Sequence, residues 1–578
     1  MTTWNIEKIY ATTEEINRDI QLIEKGLKDL KILKENPYNH LAEILEVIEN
    51  LYRLSGKLLS FHSMRKDENS KISENQKEYL KIKNMVAKVH TETSFFEPFM
   101  YSLSSQGWDE VYNRNDLVKY HSYFRKLQRY QDHYLSEKEE SILSQFGEIS
   151  QNSYNAFYNL SYADLVFPKL KSTTLELNHS NYSKLLMNEN QEVRKESFEK
   201  MYESYESLKN TFGSTLYGNM KYQQILSKVR KYTSVRDMAL YSDNVTIEMY
   251  DGLIEAVHHH LSSYQKFYDL RREKLGLSEM NMYDVYLPVT KYEEEIPYTK
   301  AQEIIISALE PLGKEYIEIV KRALSEKWID VYPRDGKRAG AYSGGSYDTD
   351  PYILLNYNGT IESVFTLAHE LGHSVHSYYS RKNNNYYDAS YSIFVAEVAS
   401  TFNELLVLDY LKNKAKKKEE KLFFLDYHLN AFKSTVFRQT MFAEFEKEIY
   451  QEVEKGLGLT GDDYSKIYYD LNNKYFGDFV YSNSEIQLEW ARVPHFYYNF
   501  YVYKYATGFC AATLLSKKVL EGRDKSLERY MEFLKDGSKN LPLEQLRKAG
   551  CDIADPEVLE EALSVFDHLI NEYEEYLK

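Results

Sequence analysis

His369, Glu370 and His373 stand in the order H-E-x-x-H within the stretch FTLAHELGHSVHS, Phe365 to Ser377. On a helix, residues four apart are separated by about 40° around the axis and about 6 Å along it, so both imidazoles can reach one tetrahedral ion. Glu370 projects about 100° from His369, where its carboxylate can flank the ion's open position without occupying it. A base placed there can take a proton from a water activated by the metal. His376 shares the face of His373 but lies about 10 Å along the axis from His369, too far for three histidines to converge. It is read as a neighbour of the site, and the third ligand must come from elsewhere.

Glu397 is the lone carboxylate in the apolar run IFVAEVA, and such a charge is rarely buried without a partner. A metal ion would be that partner; an internal ion pair is the alternative. Glu404, seven residues on and on the same face, either orients a ligand or is an ordinary solvated glutamate. Farther along, Pro494 suits the first turn of a helix on which His495, Tyr498 and Tyr505 would line one wall. Neutral phenol and imidazole groups are suited to donate to an oxyanion, and an aromatic packing face is the competing reading. Tyr501 and Tyr503 are read as packing. The triplet His258, His259 and His260 is no metal site, because adjacent helical residues diverge by about 100°.

These residues need elements to hold them. Thr360 can cap a helix that begins IESVF, with Glu362 at its positive end and RKNNN at its C-terminal end. Gly372 is unexpected mid-helix, where glycine costs about 1 kcal/mol relative to alanine; close approach of another backbone would explain it. A second helix follows in YSIFVAEVASTFNELLVLDYL. Before the motif, the stretch Tyr332 to Thr360 holds five of the 23 glycines and two of the 11 prolines, so it breaks the helical texture. It contains YILLNY, which reads as a short strand. A phosphate-binding loop is disfavoured, since GAYSGGS lacks the Lys-Ser/Thr ending.

The remainder of the 578 residues bounds the answer. Glycine and proline are scarce, which favours a mainly helical fold. A formal charge of −16 without a basic arm disfavours nucleic acid or an anionic membrane as partner. The N-terminus lacks the pattern of a secretory signal and no apolar run is long enough to span a bilayer, so a soluble, cytoplasmic protein is expected. Cys510 and Cys551 cannot form a disulfide framework. A change of texture in VFPKLKSTTLELNHSNYSKLL, which includes a short alternating run, sets a boundary, giving an N-terminal helical lobe over 1–185 and a domain with the metal site over 186–578.

The chain resembles the thimet-oligopeptidase-like zinc metallopeptidases, and most closely their oligoendopeptidase F branch. The resemblance is carried by TLAHELGHSVHS with FVAEVASTFNE, by KRAGAYSGGSYDTDPYILLNYNGT upstream, by RVPHFYYNFYVYKYATG downstream, and by KYTSVRDMALYSDNV. Ser363 departs from it, where an acidic residue is expected. The resemblance implies a mainly α, two-lobed fold around a deep substrate channel, with a small β element beside the active-site helix. It implies one zinc per chain on His369, His373 and Glu397, Glu370 as the base, and His495, Tyr498 and Tyr505 as catalytic groups at the transition state. Gly340, Ala341, Tyr342, Gly344 and Gly345 match the family's substrate-binding loop and edge strand, which an extended peptide could join through main-chain hydrogen bonds. Glu404 and His376 are expected to support the ligands. The expected activity is hydrolysis of internal bonds in oligopeptides, with folded proteins excluded and no obligate protein partner. A metallo-exopeptidase such as a carboxypeptidase and a non-catalytic peptide-binding module are the alternatives.

Overall fold

A computed structural model describes residues 3–523 and 525–578. The chain is 72% helical, with a single small sheet of three strands among the described residues. Packing divides it into two units, each assembled from three separate stretches. The first comprises Met1–Tyr134, Glu293–Leu411 and Leu515–Cys551; the second comprises Leu135–Tyr292, Lys412–Leu514 and Asp552–Lys578. This grouping follows contacts across the chain, whereas a division at 185/186 follows chain order.

In the first unit three long helices, Thr13–Leu33, Leu41–Glu68 and Ser73–Thr93, pack side by side. The first begins at a capping box in which Thr12 and Glu15 satisfy each other's backbone N–H. Their apolar faces bury Ile23, Leu27, Ile44, Leu45, Leu51 and Ile82 in a core that extends to Tyr352 and Leu354. Those two residues lie on the central strand of the sheet, ordered β1 (Ile329–Asp330), β3 (Tyr352–Leu354) and β2 (Tyr342–Gly344). β1 runs parallel to β3, and β2 runs antiparallel to it with Ser343 opposite Ile353, which leaves β2 as an edge strand. The expected strand in YILLNY is therefore β3. On β1, the buried Asp330 carboxylate receives Arg334 through both terminal guanidinium nitrogens at 2.6 Å, and Lys337 at 3.1 Å. Full pairing makes a buried charge tolerable.

Two helices complete the frame of the motif. α1 spans Ile361–Asn383 and α2 spans Ile393–Lys414. Thr360 caps α1 as its sequence predicts, accepting the N–H of Ser363 at 3.4 Å, and the Ser363 hydroxyl donates to Asn358 at 2.5 Å. Val364, Leu367, Ala368, Leu371 and Val375 form the fully buried stripe of α1.

The second unit is also helical, and two buried ion pairs join its parts: Arg194 with Asp284 at 2.7 Å and Arg271 with Asp426 at 2.6 Å. The alternating run after Phe167 forms no strand; it leads through turns to the helix His179–Leu186. Side chains from that segment make local caps instead, as when Asn178 accepts the N–H of Asn181. The three consecutive histidines diverge as expected, His258 to Glu444, His259 to Glu560, and His260 to both Glu560 and Asp567. Both cysteines are buried and outside any disulfide. No helix among the described residues is long and apolar enough to cross a membrane.

Candidate active site

The first unit brings His369, His373 and Glu397 together, with one potential ligand atom from each lying within 4.8 Å of the others. The facing Nε2 atoms of His369 and His373 are 3.1 Å apart, and a Glu397 oxygen lies 3.5 Å from the first and 3.8 Å from the second. Two lone pairs facing at that distance repel unless a cation or a proton lies between them. Tetrahedral ligands with bonds of about 2.0–2.1 Å stand roughly 3.3 Å apart, so these donors suit a zinc-sized ion.

The other nitrogen of His369, Nδ1, is 2.6 Å from Glu404. A carboxylate there accepts a hydrogen bond from Nδ1–H, which leaves Nε2 facing His373 and Glu397. Burial disfavours charge on His369, but the hydrogen bond and charge of Glu404 outweigh it and raise its pKa to about 9, so that a cation binding at Nε2 would displace a proton from it. Burial, aided by the charge on His369, pushes His373 down to about 3, so that ring is neutral. The Glu404 side chain is therefore engaged by His369 and not free in solvent.

Glu370 is 6% exposed, and its Oε2 has no hydrogen-bond partner. Burial pushes its carboxyl up to about 7, partly offset by the charge of His369 and a hydrogen bond from the backbone of Ser343. A buried, incompletely satisfied carboxylate is costly as structure and apt as a base. Ser343 belongs to the edge strand β2, and its hydroxyl also meets that of Ser374 on α1 at 2.8 Å. The glycine-rich stretch is thereby tied to the motif helix. Within it Gly340 and Gly345 have φ of +83° and +136°, conformations that side chains resist. Tyr342 turns away and donates to Asp67, while Ala341 and Gly344 are half-buried beside it.

His376, expected beside the ligands, makes no hydrogen bond to them. It is fully buried with neither ring nitrogen hydrogen-bonded, and it stacks on Tyr391 at 3.8 Å. Its helical phase points it into the core, and Tyr391 reaches the site instead, donating to the carbonyl of His373 at 3.4 Å.

In the second unit, His495, Tyr498 and Tyr505 gather by a route the helical reading missed. Pro494–Tyr497 is one 3-10 turn, and the following helix starts only at Tyr503. Between them Asn499 and Phe500 adopt φ of +50° and +55°, which is strained for residues with side chains. The turn is held from outside: Asn219 donates to Asn499, Tyr450 also bonds Asn499, and Glu446 accepts the N–H of Phe500 at 2.7 Å. Reversal of the chain brings the Tyr505 hydroxyl 3.3 Å from His495 Nε2, with the Tyr498 ring 5.8 Å from the imidazole. Tyr498 is 48% exposed and meets Tyr154. Burial lowers the pKa of His495, keeping the ring neutral. Tyr501, read from sequence as packing, joins this cluster by stacking on His495, whereas Tyr503 is buried against Tyr250 as expected.

Comparison with known proteins adds ancestry to geometry. The description Peptidase family M3 matches residues 184–565, and Oligopeptidase F matches residues 100–167. The chain is 39% identical over 583 residues to Oligopeptidase PepF of Bacillus subtilis, covering all of this chain and 87% of that protein. It is 36% identical to an Oligoendopeptidase F homolog of Lactococcus lactis, covering 100% and 97% respectively. The crystal structure of oligoendopeptidase-F from Enterococcus faecium superposes with a TM-score of 0.75 at 33% identity, covering 97% of this chain and 98% of that one.

Proposed function

Because the chain belongs to peptidase family M3, we propose that His369, His373 and Glu397 hold one zinc ion and that Glu370 is the general base of peptide hydrolysis. The protein is a metallo-oligopeptidase that cleaves internal bonds of peptides. The observation that carries the residue assignment is the convergence of two neutral-capable imidazoles and a carboxylate beside a buried, half-satisfied Glu370.

Zinc held there supplies a Lewis acid for the scissile carbonyl and lowers the pKa of nearby water. Glu370 takes the proton of the attacking water and returns it to the leaving amine. Glu404 keeps His369 in the tautomer that binds metal. The hydroxyls of Tyr498 and Tyr505, with the neutral ring of His495, donate to the carbonyl oxygen as it gains charge, a role that rests on the family likeness and their clustering. The open edge of β2, from Tyr342 to Gly344 and continuing into Gly345, offers main-chain groups to an extended substrate, which selects unfolded oligopeptides. Gly340 and Ala341 lead into that edge. Two buried cysteines outside any disulfide are compatible with a cytoplasmic enzyme.

The test is an internally quenched oligopeptide blocked at both ends, assayed with and without a metal chelator and with Glu370→Gln. Cleavage by the wild type, loss on chelation, recovery with zinc, and a zinc-loaded but inactive variant are expected. A Glu370→Gln protein with wild-type turnover would sink the assignment of the base, and a wild type that cannot cleave the blocked peptide would favour an exopeptidase.

A further inference from the structure

Arg381 lies on α1 two helical turns beyond His373, at the wall of a cavity of about 530 Å³ in the first unit. The cavity is within the size range of ligand pockets. Gly345, Tyr347, Ser377, Tyr386 and Tyr391 line it with Arg381. Ser377 and Tyr391 share a hydrogen bond at 2.7 Å, and Tyr391 in turn reaches the His373 carbonyl, so this wall is continuous with the metal-site helix. Gly345 continues the edge strand β2 into the same cavity, and a β-carbon on it would lie 3.1 Å from the Arg381 guanidinium.

The guanidinium is poorly compensated. Its one hydrogen bond is a long one, 3.4 Å, to the carbonyl of Thr349, and among the described residues no carboxylate lies within 4.0 Å of it. The nearby acids are otherwise engaged: Asp350 pairs with Lys8 at 2.6 Å and Asp348 with Arg53 at 2.6 Å. Glu97 also lines the cavity, but it accepts a hydrogen bond from Tyr123 and burial raises its pKa. Burial likewise lowers the pKa of Arg381, outweighing the opposing influence of Tyr391 and of the more distant Asp350. A planar donor fork with free N–H groups in a tyrosine-walled cavity matches a carboxylate.

We propose that Arg381 is a specificity residue that receives a carboxylate of the bound peptide, its C-terminus or an acidic side chain. The inference rests on the peptidase reading above. Eight residues of helix place Arg381 about 12 Å beyond His373 along the axis. An extended peptide rises about 3.3 Å per residue, so the carboxylate would lie about three or four residues from the scissile bond. Cleavage therefore stays internal while the length or sequence of the substrate is measured at a distance.

The experiment uses the full zinc-loaded chain and quenched peptides with fluorophore and quencher on internal residues. One pair differs only in a free or amidated C-terminus. A second pair, both amidated, carries Glu or Gln three or four residues from the cleaved bond. The wild type should prefer a carboxylate by about tenfold to a hundredfold in kcat/KM, mainly through KM, as a charge-assisted hydrogen bond provides. In Arg381→Gln the ratio should fall to within about twofold of unity, and Arg381→Lys should recover part of it. Zinc content and unfolding temperature equal to wild type show that the variants are folded. Preference in the first pair assigns the C-terminus and in the second an acidic side chain; either supports the proposal. Ratios near one in the wild type, or a preference unchanged in Arg381→Gln, would overturn it while leaving the peptidase reading intact. A wild type that cleaves none of the four peptides would overturn both.

Discussion

Gly372 lies directly against the backbone of Ala399. A β-carbon at 372 would stand 2.7 Å from the Ala399 carbonyl oxygen and 2.7 Å from the Cα of Ser400. Its absence lets α1 and α2 approach backbone to backbone, which is what sets Glu397 across from His369 and His373. Asn403 secures the same crossing, donating to the Ala368 carbonyl at 3.2 Å while accepting from Tyr316.

Gly372→Ala should therefore act on the metal before the fold as a whole. Helix propensity favours alanine by about 1 kcal/mol, but the clash forces the helices apart at a cost of about 1–3 kcal/mol. Zinc affinity should fall by roughly tenfold or more, because ligand geometry loosens. Competition with a chromophoric chelator measures it; unchanged affinity would show that Glu397 does not depend on this contact.

Glu404→Gln should retain the shape of the site but lose the charge that fixes the tautomer of His369. A drop of about 10- to 100-fold in zinc affinity is expected, with activity restored by excess zinc. A variant that binds zinc as tightly as wild type would argue that Glu404 is dispensable.

Tyr505→Phe and Tyr498→Phe each remove a hydroxyl donor from the cluster around His495. Each should lower kcat by about 10²–10³ with zinc content unchanged, as for the loss of an oxyanion donor. Tyr501→Phe keeps the stacked ring and should cost far less. Equally small effects in all three would mean that packing, not donation, is the role of the cluster.

Glu446 gives a pH dependence to stability. Burial pushes its carboxyl up to about 8, and only the N–H of Phe500 works in the opposite direction. The folded state thus holds a proton that the unfolded chain, with a carboxyl near 4.5, releases. Its contribution is fully present below about pH 4.5 and is lost as pH rises through about 8, at no more than about 1.4 kcal/mol per pH unit. Glu446→Gln mimics the protonated form and should flatten that slope, so its advantage over wild type grows from pH 5 to pH 8. Denaturant melts across this range provide the check; parallel wild-type and variant curves would contradict it.

Much of the candidate metal centre was legible because it is local. Once Phe365–Ser377 is helical, a repeat of 3.6 residues fixes the relation of His369, Glu370 and His373, and Glu397 stands out as a charge in an apolar run. The scarcity of glycine and proline likewise determined a mainly helical fold. Gly372 announced a close contact without saying with what.

The rest was decided by partners far away in the chain. Helical arithmetic failed at His495, Tyr498 and Tyr505, because the left-handed turn at Asn499 and Phe500 exists only where Asn219, 280 residues earlier, and Glu446, 54 residues earlier, supply its hydrogen bonds. Arg381 reads in sequence as a cation suited to a helix C-terminus; that it lacks a close carboxylate appears only when Asp348 and Asp350 are seen to be paired with Arg53 and Lys8. His376 shares the face of its neighbours on paper, yet Tyr391 and Phe533 close over it. Sequence sets which groups a helix presents together, and tertiary packing sets which of them are satisfied, strained or left to bind something else, because desolvation and hydrogen-bond partnership are non-local.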